Sequence, residues 1–149
     1  MNPEKYRLSI VSFSRGKHPD TGQMLKPHWT FHIDTKTTHT IFHELEGSAK
    51  SYHYDGGQKR ILVKSADLDK MVGIGIVSPD KLDAIEELFE RVEPRNTIEA
   101  GAWTEWGDYR GCRAWCLDAL APLRAAGFLD DHVTPEFIKE SLKPDWETK

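Results

Sequence analysis

Four of the chain's seven histidines fall within residues 26–45, in KPHWTFHIDTKTTHTIFHEL. Its two cysteines, Cys112 and Cys116, lie together in GCRAWCLDAL. Imidazoles and a thiol are the parts of nucleophilic catalysis. A thiolate attacks a carbonyl, an imidazole takes the thiol proton and returns it to the leaving group, and a third polar group fixes the imidazole's tautomer. In that chemistry His28, His43 and one of the two cysteines are the candidates. Cys112 is predicted to open a helix, where unbonded N–H groups and the helix dipole lower a thiol's pKa. The same N–H groups are placed to hold an oxyanion. Cys116, one turn deeper, lacks them and is expected to pack as a small hydrophobe. Trp29, Trp106 and Arg113 are the candidate substrate contacts. His32, His39 and His53 are expected at the surface or behind the site.

The elements that must position these groups are a β-hairpin and a helix. HWTFHI (28–33) alternates, with Trp29, Phe31 and Ile33 on one face and His28, Thr30 and His32 on the other. DTKTT is a turn, and HTIFHEL (39–45) the return strand. If Ile33 lies opposite Thr40, His28 and His43 share a face as diagonal neighbours, roughly 7–8 Å apart at the backbone. A slip of one residue sends them to opposite faces. The second element, a helix from about Tyr109–Cys112 to Gly127, buries Cys112, Trp115, Cys116, Ala119, Leu120 and Leu123. Gly127 is a good C-cap, and Pro122 should bend the helix.

Further elements complete an α+β plan with an antiparallel sheet and segregated helices. YRLSIVSFS (6–14) reads as a strand. Gly56–Gly57 reads as the turn of a second hairpin. MVGIGIV (71–77) reads as a buried strand whose glycines admit a close backbone or helix. SPDKLDAIEELFERV starts with Ser78 as N-cap and Pro79 in the first turn, and carries an apolar stripe. TPEFIKESL (134–142) is a last short helix. Residues 93–108 are irregular and hold Trp103 and Trp106, which either line a cleft beside Cys112 or clasp their own segment.

With 149 residues the chain reads as one domain able to bury a core unaided. A formal net charge of −4 with scattered basic residues does not suggest a nucleic-acid partner. MNPEKYRLSIVSFSR has no apolar run of leader or membrane-spanning length. Two cysteines one helical turn apart give no disulfide framework, so a reduced, cytoplasmic protein is expected. His28 and His32 sit about 13 Å apart along a strand, too far to chelate one ion. Neither a metal nor another cofactor is called for. The expected partner is a small-molecule or peptide-like substrate.

HW opening a strand, FH on the next, and a cysteine at a helix start with an aromatic three residues on resemble the permuted papain-like hydrolases. These form the NlpC-type superfamily, with the lecithin:retinol acyltransferase-like proteins as one branch. The resemblance implies a permuted papain-like fold and an acyl-enzyme on Cys112, with His28 as base and His43 behind it. Gly111 stands where these cysteine boxes usually have asparagine, and the polar SLKPDWETK replaces the hydrophobic anchor of the membrane-bound members. Over most of its length the chain is also similar to small uncharacterised fungal proteins that share HW, FH, a GIG-like strand and a WNCxxW…AL box. The function expected is a cysteine-dependent hydrolase or acyltransferase acting on an amide, ester or peptide-like substrate. The alternative is a non-catalytic binding module on the same scaffold.

Overall fold

The computed structural model describes residues 5–14, 17, 20, 22, 27–35, 40–46, 53–60, 68–93 and 112–143. Among these residues five strands form one antiparallel sheet: β1 (Tyr6–Phe13), β2 (His28–Asp34), β3 (Thr40–Glu46), β4 (His53–Arg60) and β5 (Leu68–Val77), in the order β4-β3-β2-β1-β5. Three helices follow: α1 (Leu82–Glu90), α2 (Cys112–Ala125) and α3 (Pro135–Ser141). The plan is α+β, strands first and helices after.

The central strands β1 and β2 are buried on both faces, which explains their density of β-branched and aromatic residues. Leu8 and Ile10 of β1 pair with Ile33 and Phe31 of β2 and face the helices. Trp115 of α2 fills the space above them. Its ring meets Phe31 edge-on at 5.8 Å, and its indole N–H donates to the Val92 carbonyl at 3.0 Å. Phe89 of α1 meets Phe31 with its ring tilted, at 4.6 Å. Each such buried side chain contributes roughly 1.5–3 kcal/mol. Pro122 is accommodated within α2, which runs on to Ala125.

Two expectations are overturned, and both concern register. In the β2–β3 pair Ile33 lies opposite Ile41, not Thr40, with Phe31 opposite His43 and His32 opposite Phe42. This is the one-residue slip that changes faces. It is tolerated because the second face of β2 is buried too, so Phe42 loses nothing by lying beside His32. Gly56–Gly57 is not a turn. Both glycines lie inside the continuous strand β4. There Phe42 pairs with Gln58 but His43 pairs with Gly56, so Gly57 is the extra residue of a β-bulge. Past the bulge Tyr54, rather than Asp55, lies opposite Leu45.

The close approach expected in the GIG strand occurs at Gly75. A Cβ there would collide with the Phe128 carbonyl. Residues 128–130 run along the outer edge of β5, with Ile76 N–H donating to Phe128 O at 3.3 Å and Asp130 N–H to Ile74 O at 2.8 Å. A Schellman turn sends the chain there. Gly127 has φ +85°, its N–H bonds the Arg124 carbonyl, and the Phe128 N–H bonds the Leu123 carbonyl, both at 3.0 Å. Thr134 caps α3 by accepting from the Phe137 N–H at 3.1 Å. Among the described residues no helix is long and apolar enough to cross a membrane.

Candidate functional site

The register decides which predicted residues meet. His43 pairs with Phe31 and faces the helices, whereas His28 belongs to the opposite face with Thr30 and His32. The expected contact between His28 and His43 is therefore not made, and His43 does not orient His28. A carboxylate does so instead. Glu44, whose side chain is 4% exposed, accepts a hydrogen bond from Nε2 of His28 at 2.9 Å. The His28 side chain is 30% exposed, so the pair reaches from the interior towards the surface. With the sequence offset of the β2–β3 pair corrected by one residue, Glu44 falls diagonally across from His28. That offset was the signal needed to find it.

His43 has an interior role. It is 1% exposed, its ring stacks on Phe89 at 4.6 Å, and its Nδ1 is hydrogen-bonded to the Tyr54 hydroxyl at 2.5 Å. Tyr54 reaches it because the Gly57 bulge resets β4. Burial pushes the His43 imidazole down to about 4, and nearby His32 acts in the same direction. At neutral pH this ring is uncharged. His32, expected at the surface or behind the site, is buried and hydrogen-bonded through Nδ1 to the Thr40 hydroxyl at 3.1 Å.

Cys112 is the first residue of α2, at the helix start expected for it. Its side chain, and those of His53 and all of His39, Trp103, Trp106 and Gly111, lie outside the described residues. Its neighbours in the helix locate the helix start. Cys116 is a buried free cysteine whose thiol contacts the Trp29 carbonyl at 3.8 Å. The Arg113 guanidinium lies 5.6 Å above the Trp29 ring. Trp29 itself is a core residue, and Arg113 is 9% exposed. The opening turns of α2 thus lie over the residue that follows His28, although on the other face of the sheet. Among the described residues no three His, Cys, Asp or Glu side chains gather to hold a metal ion.

The arrangement can do two things chemically. The Glu44–His28 pair can accept and return a proton, with the carboxylate fixing which ring nitrogen carries hydrogen. The helix start can stabilise a thiolate. No curated protein and no solved structure matches the chain. The model of a family of unknown function, DUF6540, matches residues 17–130, and the chain belongs to that family.

Proposed function

We propose that the chain is a thiol-dependent hydrolase or acyltransferase acting on an amide, ester or peptide-like substrate. Cys112 is the nucleophile, His28 the base, and Glu44 takes the orienting role that His43 does not fill. The observation that supports this is the His28–Glu44 contact, a buried carboxylate gripping one nitrogen of a half-exposed imidazole. Glu44 holds Nε2 and so fixes the orientation of the ring. The Cys112 thiol proton passes to the imidazole as sulfur bonds to the acyl carbon. The C–N or C–O bond then breaks as His28 gives that proton to the leaving group. Water or an acceptor nucleophile releases the acyl group and regenerates the thiol. A reduced cytoplasmic setting, which keeps Cys112 a thiol, belongs to the same proposal.

A second reading, a non-catalytic binding module, is favoured by one observation: α2 packs on the sheet face away from His28. Iodoacetamide labelling across pH separates the two. Cys116 is buried, and Cys112→Ala identifies any labelling at that position. The enzyme reading expects Cys112 to titrate well below the ordinary thiol value of about 8.5. It also expects Glu44→Gln and His28→Gln to slow labelling at pH 7 by roughly tenfold, the thiolate lost per pKa unit. An ordinary thiol, indifferent to both changes, leaves the binding module as the function.

A further inference from the structure

Helices α1 and α2 leave an open groove of about 610 Å³ between them. Ala84, Leu88, Val92 and Pro122 supply its apolar lining. The first three are spaced by four, so they form one row along α1 and the turn after it. The row grades from an exposed Ala84 through a half-buried Leu88 to a buried Val92. At 1.5 Å per residue it is roughly 12 Å long, about two turns of a helix. The groove is built in advance. The Trp115 indole N–H donates to the Val92 carbonyl at 3.0 Å, and the Val92 N–H donates to the Phe89 carbonyl at 3.2 Å. The end of α1 is thereby pinned to α2, and an occupant meets a surface that needs little ordering.

The charge around the groove is one-sided. Glu87, Glu93 and Asp118 line it against a single guanidinium, that of Arg91. Arg91 is ion-paired with Glu87, but both side chains are mostly exposed, and a pair of that kind is weak enough to exchange for a partner's charge. Carboxylates from both helices thus flank the apolar row. An apolar strip inside a charged rim is the anatomy of a protein interface, and this rim repels an acidic occupant.

We propose that the α1–α2 groove is a docking site for a basic amphipathic helix of another protein. Its apolar residues lie along Ala84, Leu88 and Val92, and its lysines or arginines face Glu87, Glu93 and Asp118. A helix laid in a groove by one apolar face needs the length and the row that α1 provides. The open mouth disfavours a small molecule, since such ligands are mostly enclosed. The His28–Glu44 pair lies on the other face of the sheet, so docking here requires nothing of the thiol chemistry.

The probe is a fluorescein-labelled leucine–lysine peptide of about four helical turns, with its leucines on one face, compared with a peptide carrying glutamate for each lysine. Fluorescence anisotropy should show binding of the first and none of the second. Glu87→Lys with Glu93→Lys should weaken it by roughly tenfold or more. The same charge change at Asp131 and Glu136, both exposed and off the groove, should weaken it by less than about twofold. Ala84→Trp obstructs the groove without altering charge and should also weaken binding roughly tenfold. A readout free of variants comes from the amide chemical shifts of wild type, which should move at residues 84–93 and 118–122 as peptide is added. Equal binding of the two peptides, or no binding of the lysine peptide, overturns the proposal. So do shifts centred elsewhere, and equal losses from the two pairs of charge reversals, which would mean a general attraction to an acidic protein. Octylamine moving the same amides as strongly as the peptide overturns it in favour of a small amine ligand. Self-association of wild type that Ala84→Trp abolishes overturns it in favour of a second copy of the chain.

Discussion

His43 is an ionisable ring enclosed by Phe89, Tyr54 and the sheet, and its chemistry follows from that enclosure. In the unfolded chain it titrates near the ordinary 6.5 and in the folded protein near 4. Between those values the unfolded state binds the extra proton. Stability is then fully present above pH 6.5 and is lost as pH falls towards 4, by roughly 3 kcal/mol at most. Urea unfolding of wild type and His43→Asn at intervals of pH checks this. The stability difference between the two should shrink in favour of the variant across that window and flatten below it. A difference independent of pH would mean the ring takes up its proton as readily in the fold as in the unfolded chain. This histidine was visible in the sequence as a candidate for chemistry, but its role was not. Its hydroxyl partner lies eleven residues away on β4, and only the Gly57 bulge brings it round. Glu44 adjoins His43 in the sequence, and only the offset of the hairpin decides which of the two shares a face with His28.

At the scale of elements, alternation within each strand was readable, whereas the offset between strands was not. Register is ordinarily pinned by the contrast between a wet face and a dry one. In β2 both faces are dry, so either offset buries Phe42 or Ile41 acceptably, and periodicity carries no preference. Helices were easier, since their stripes report on one buried side only. Ile85 and Phe89 of α1, and Trp115, Cys116, Ala119, Leu120 and Leu123 of α2, all lie in the core as their spacing implies. The end of α2 was legible for a different reason: Gly127 occupies a left-handed conformation that a side chain resists. Gly127→Ala should cost about 1–2 kcal/mol, read as a lowered urea midpoint with an unchanged m-value. Trp115→Phe probes the opposite end of the same helix. It keeps most of the ring but strands the Val92 carbonyl, and about 1–3 kcal/mol of lost stability is expected.

On the scale of the whole molecule, the fold is a sheet with helices gathered on one side and a second face that is nonetheless closed at its centre. Composition indicated a chain with enough apolar content for such a core, and the order of elements indicated the class. The long connections carry no comparable signal, because loops lack the periodicity that identifies strands and helices. The short run after α2 is the exception. By lying along β5 at Gly75, residues 128–130 occupy backbone groups that a strand from another molecule would otherwise recruit. Gly75→Val forces that run away from the sheet. Light scattering at rising concentration should then report more self-association than in wild type, and an added charge at the neighbouring exposed Ile76 should suppress it. A single missing side chain on an outer strand thus lets the chain seal that border with its own backbone.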